Sequence, residues 1–98
     1  SDAAAARGEL TASGNFTRIE VRAKGELYGS QAPKARIIVD GRIAGDLTVD
    51  SAQWKTYSVT GAWTAGKHTV EVMFLNDSSV RGIVLDYLVA AGAGEADR

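Results

Sequence analysis

Arg36-Ile37-Ile38-Val39-Asp40-Gly41-Arg42-Ile43-Ala44 is the stretch that decides the fold. A short branched run meets an Asp-Gly pair, and the chain then continues through Arg42–Ala44. Both central residues of a two-residue hairpin turn need positive φ, and Asp-Gly is among the pairs that reach it most readily. Working outward, the apolar period stays at two. Ile19, Val21 and Ala23 alternate with Arg18, Glu20 and Arg22, and Leu47 and Val49 share a face. Trp54, Thr56 and Ser58 alternate with Lys55, Tyr57 and Val59. Val70, Val72 and Phe74 alternate with Thr69, Glu71 and Met73. Ile83, Leu85, Tyr87 and Val89 lie opposite Val84, Asp86 and Leu88. Alternation of this kind marks half-buried strands. Gly25, Gly29, Pro33, Gly61, Gly66 and Asn76-Asp77-Ser78-Ser79 separate the runs as turn formers. Nowhere does a helical stripe appear. Short strands separated by turns predict an antiparallel sandwich or barrel. The expected core includes Val70, Val72, Phe74, Leu85 and Tyr87, with Trp54 in the core or half-buried and Trp63 packed against it.

The chain has 98 residues, enough for one domain with a modest core. Its 45% hydrophobic content includes sixteen alanines, so the effective core is leaner than that figure implies. Without cysteine there is no disulfide, thiolate site or cysteine nucleophile. With His68 alone, a multi-histidine zinc site is excluded. A net charge of −1, well mixed along the chain, argues against nucleic acid. The apolar runs fall far short of the roughly 20 residues of a membrane helix. Residues 1–9 read as a leader, 10–92 as the sandwich and 93–98 as a tail. No apolar signal segment follows Ser1-Asp2, so the chain reads as a mature protein or a fragment of a longer one.

Few residues suggest chemistry. His68 stands at the start of a strong strand with no ligand partner at suitable spacing, and reads as a packed or backbone-bonded histidine rather than a base. A glycosidase needs two carboxylates flanking a cleft, and a domain of this size has little room for one. Asn76-Asp77-Ser78-Ser79 reads first as a solvated turn, and second as an oxygen-rich loop able to grip a hard cation or sugar hydroxyls. Tyr28 lies in a loop-like stretch, where an aromatic either covers the core or serves as a platform for a sugar ring.

An ordered set of motifs then resembles a known family. The set runs VRAKG (Val21–Gly25), Gly29 with Ala32-Pro33, IIVDG (Ile37–Gly41) and Trp54 with Tyr57. AGKHTVEVMFLND (Ala65–Asp77) and LDYLVAAG (Leu85–Gly92) complete it. Together they resemble the calcium-dependent xylan-binding carbohydrate-binding modules of families 36 and 60, over residues 16–92. The resemblance implies an all-β fold, an antiparallel β-sandwich of jelly-roll type. It implies a non-catalytic module that targets an attached enzyme to plant polysaccharide, from a secreted or cell-surface bacterial protein. It also implies calcium, held in the loops at one end by the carbonyl at Tyr28 and by the carboxylate of Asp77, with sugar hydroxyls joining the ion.

One departure is visible. Relatives carry a further carboxylate just before the last strand, where this chain reads Val80-Arg81-Gly82. Carboxylate count tunes calcium affinity, so weak binding or none is expected. Tyr28, Asn76, Asp77 and Arg81 are the expected ligand-binding residues, bringing an aromatic, an amide, a carboxylate and a guanidinium into candidate neighbouring loops. The rival expectation is a sandwich of the same fold that has lost sugar and calcium and serves as a structural or protein-contact module.

Overall fold

The structure is a computed structural model that describes residues 5–25, 32–75 and 83–91, with side chains described up to Leu75. These residues form seven strands: β1 (Ala5–Ala12), β2 (Phe16–Gly25), β3 (Lys34–Val39), β4 (Arg42–Thr48), β5 (Lys55–Trp63), β6 (Gly66–Phe74) and β7 (Ile83–Ala91). They make two antiparallel sheets, ordered β1-β6-β3-β4 and β5-β2-β7. Successive strands mostly change sheet, as in a jelly roll, and the two sheets enclose one core.

The β3–β4 hairpin turns at Asp40-Gly41 as the sequence predicts. Asp40 has φ 53° and Gly41 φ 84°, and Val39 pairs directly with Arg42. The alternation also lands on the expected faces. Ile19, Val21 and Ala23 of β2 are buried against Ala35, Ile37 and Val39 of β3 and Val70 and Val72 of β6. Leu47 and Val49 are buried together, as their shared face requires. A register shift between Phe16 and Arg18 turns Phe16 inward beside Ile19.

Two expectations are corrected. Strand β1 opens at Ala5, inside the segment read as a leader. Its residues have little apolar pattern, but β6 offers a free backbone edge, and pairing from Ala5↔Met73 to Ala12↔Gly66 satisfies it. Phe74 is only half-buried at the end of β6, and the enclosed aromatic is Phe16, at 1% exposure. Strand β7 carries a register shift opposite Arg22 and Ala23. Leu85 pairs with buried Ala23, whereas Tyr87 pairs with outward Arg22. The side chains of Leu85 and Tyr87, both expected in the core, lie outside the described residues.

Candidate functional site

Three connections cross between the sheets at one end of the sandwich. The β2–β3 loop starts at Gly25, which pairs with Ile83 at the start of β7. The β6–β7 loop starts at Leu75, whose amide donates to the Lys34 carbonyl at 2.9 Å. The β4–β5 connection is tied to the first loop at both ends. Val49 N–H donates to Pro33 O at 2.9 Å, and Gly25 N–H donates to Ser51 O at 2.8 Å. A Cβ on Gly25 would lie 2.9 Å from both Pro33 Cγ and the Val49 carbonyl, so this close approach requires glycine. Tyr28 falls in the first loop, and Asn76, Asp77 and Arg81 fall in the second; all four lie outside the described residues. The described strands bring the roots of both loops to the same end. Among the described residues no group of three or more His, Asp and Glu side chains is placed to hold a metal ion.

The described part of this end is polar and ordered by hydrogen bonds. The Tyr57 hydroxyl donates to Asp50 Oδ1 at 3.0 Å, and the Asp50 amide returns a bond to that hydroxyl at 3.1 Å. Lys55 Nζ donates to the same carboxylate at 3.4 Å. The Tyr57 hydroxyl, first, and the nearby Lys55 charge hold the Asp50 carboxyl below its ordinary pKa. Ser51 Oγ accepts from the Gln53 amide at 3.0 Å, forming a local side-chain turn.

Trp54 differs from its expected place. It is 37% exposed, on the outside of the three-stranded sheet. Arg22 Cζ lies 4.9 Å and Lys24 Nζ 5.0 Å from its ring centroid. The signal was present in the sequence: Trp54 shares parity with Thr56 and Ser58, not with the buried Val59.

The opposite end is closed by aromatic and ionic contacts. Phe16 stacks on Trp63 at 5.3 Å and meets His68 edge-on at 5.3 Å, so Trp63 packs as expected. His68 Nδ1 lies 2.5 Å from Asp40 Oδ2, and Nε2 lies 2.7 Å from the Thr64 carbonyl. Both partners only accept, so both ring nitrogens carry protons and His68 is an imidazolium here. Asp40 also receives the Thr69 amide at 2.9 Å. The histidine is therefore structural, as the sequence reading had it. A cleft of about 390 Å³ opens at this end, lined by Arg42, Ile43, Thr60 and Trp63 among others, away from the crossing loops.

The His68 pair predicts a pH dependence. Its bonds to Asp40, first, and to Thr64 raise the His68 pKa above the ordinary 6.5. The stabilisation is complete below about 6.5, the unfolded value, and is lost as pH rises through the higher folded value. The partner behaves oppositely. Asp40 is held below its ordinary value by His68 and then by the Thr69 amide, and its contribution is lost as acid passes the folded pKa. Thermal melts should show a higher Tm at pH 6 than at pH 9, and His68→Gln should flatten that difference. An equal slope in the variant would assign the dependence elsewhere.

No curated protein matches the chain. Among solved structures it is similar to the CBM36-1 domain of a multidomain xylanase from the hindgut metagenome of Trinervitermes trinervoides. That likeness has a TM-score of 0.75 and 15% identity, over 96% of this chain and 75% of that one. A family 35 carbohydrate-binding module from an environmental isolate gives 0.72 and 19%, over 96% of this chain and 69% of that one. A CBM36 module in complex with calcium and xylotriose gives 0.72 and 11%, over 93% and 76%. At these identities the structures establish the β-sandwich fold. Residues 18–98 match the family model CBM60, described as a Ca-dependent, xylan-binding carbohydrate-binding module. That match runs from β2 to the last residue, and the chain belongs to the CBM60 family of calcium-dependent, xylan-binding carbohydrate-binding modules.

Proposed function

We propose that the chain binds a xylan-like polysaccharide at the end where the β2–β3 and β6–β7 loops leave the sandwich, and that it acts without catalysis to hold an attached enzyme on that polymer. The observation that carries this is the convergence of the loop roots, Gly25 on Ile83 and Leu75 on Lys34. Tyr28 offers an aromatic face to a sugar ring, while Asn76, Asp77 and Arg81 offer an amide, a carboxylate and a guanidinium to its hydroxyls. Calcium, when bound, would bridge the protein to a pair of sugar hydroxyls. The hard oxygens of Asp77 and of the carbonyl at Tyr28 suit that ion. The family 36 relative from a multidomain xylanase supports an enzyme partner. A polymeric substrate supports a secreted or cell-surface protein.

Affinity electrophoresis on a panel of soluble polysaccharides tests the proposal. Retardation on xylan is expected, weakened by a chelator. No retardation on any member would leave the structural-module alternative in its place. Calcium titration by calorimetry should give a dissociation constant weaker than about 10⁻⁶ M, the middle of the range of dedicated sensor sites, because Val80 and Gly82 supply no second carboxylate. A tighter constant would mean that other oxygens complete the site.

A further inference from the structure

We propose that the cleft between residues 42–44 of β4 and 60–63 of β5 is a second carbohydrate site, which takes a neutral sugar ring without calcium. It shares no residue with the loop end of the proposed function, and only the choice of a xylan-derived probe rests on that reading. Every side chain that lines it is described. Its volume of about 390 Å³ falls at the lower end of the span of small-ligand pockets, and suits a short piece of a polymer.

The walls are apolar in the way a sugar ring is apolar. Ile43, on the β4 side, is 63% exposed, the most open large apolar side chain among the described residues. Trp63, on the β5 side, is pinned in place. Phe16 stacks on its indole at 5.3 Å, and a Cβ at Gly61 would lie only 2.6 Å from its Cη2 atom. The indole therefore lies down over the β5 backbone, which a larger residue at 61 would prevent, and gives the cleft a fixed aromatic side.

Arg42 and Asp40, which flank the turn, bring complementary polar groups. The Arg42 guanidinium has no side-chain partner among the described residues, and it only donates. The Asp40 side chain is 48% exposed. It is already held by His68 Nδ1 at 2.5 Å and by the Thr69 amide at 2.9 Å, with one bond to each oxygen. Each carboxylate oxygen keeps a further acceptor site. A sugar hydroxyl both donates and accepts. Neighbouring hydroxyls can thus donate to Asp40 and accept from Arg42 together, with the Thr60 side chain also lining the cleft.

The same two charges select against other ligands. A carboxylate would gain Arg42 and be opposed by Asp40. An apolar ligand would strip water from both groups and replace none of its hydrogen bonds. A neutral polyhydroxyl ring satisfies both. Because Asp40 is fixed by the hairpin and Trp63 by Phe16, little ordering accompanies binding.

A nuclear magnetic resonance titration with xylotriose in the presence of a chelator tests this. The chain has two tryptophans, and Trp54 precedes the opposite end of β5, so its indole is an internal control. The Trp63 indole N–H and the amides of residues 42–44 should shift and saturate with a dissociation constant of about 1–10 mM, while the Trp54 indole stays unmoved. Binding this weak does not retard a protein on dilute polymer, so the cleft is read by titration and not by electrophoresis. Arg42→Gln and Ile43→Thr, both at exposed positions, should each weaken it by about three- to tenfold with the Tm unchanged. The Trp63 shift should persist in Asp77→Ala; its loss there would place the binding in the loops and overturn the second site. No shift at Trp63 by roughly 50 mM xylotriose would overturn it too, and leave the loop-end site to its own test. So would a shift unchanged in both cleft variants. Tighter binding of glucuronate than of xylotriose would overturn the neutral-sugar assignment.

Discussion

Asp77→Ala should abolish retardation on soluble xylan in affinity electrophoresis while leaving the melting temperature within a few degrees of the parent. Asp77 is the sole carboxylate in the segment between Leu75 and Ile83. Its removal takes away the anionic ligand for calcium and a strong acceptor for sugar hydroxyls at once. Mutual support between ion and sugar makes the effect large, because losing one weakens the hold on the other. Stability should be spared, since strand pairing on either side is already complete. Leu75 is bonded to Lys34, and Ile83 is paired with Gly25. Binding equal to the parent's would show that the loop end is not the site.

Phe16→Ala should destabilise the fold by roughly 3–5 kcal/mol, the usual range for a fully buried phenylalanine. That is a large share of the ~5–15 kcal/mol that holds a typical domain together. Phe16 is 1% exposed and joins three elements: it starts β2, stacks on Trp63 of β5 and meets the His68 ring of β6. The cavity left by its ring would be walled by Trp63 and by a histidine held on both nitrogens, so collapse around it is restricted. Urea unfolding should show a lower midpoint with an unchanged slope. A loss under about 1 kcal/mol would mean that this end of the core repacks freely. The same substitution at Phe74 should cost less, because that side chain is only partly buried.

Much of the architecture was legible from local rules. The Asp40-Gly41 turn follows from the φ values its two residues tolerate, and the faces of β2, β3 and β6 follow from a side-chain period of two. Neither depends on anything distant in the chain. The family, and with it the candidate loops, was legible because ordered motifs survive where overall identity does not.

Other features needed the fold. Strand β1 exists because β6 has an edge to fill, and a backbone edge has no side-chain signature. Asp40 reads as a turn residue in sequence. Only the packing of β3 beside β6 brings it to His68, 28 positions away, where its carboxylate keeps the imidazole charged. The bulge in β7 sets Tyr87 opposite Arg22, and an extra residue inserted at one point cannot be seen in an alternation. Trp54 shows the division most clearly. Its parity was fixed by the sequence, but exposure depended on no described residue covering the outer face of β2 and β5, and the two cations beside it depended on pairing residues 30 or more positions apart. Period and turn chemistry act between near neighbours, so the sequence alone determined them; edge pairing, bulges and charge clusters are settled between distant segments, so only the tertiary structure decided them.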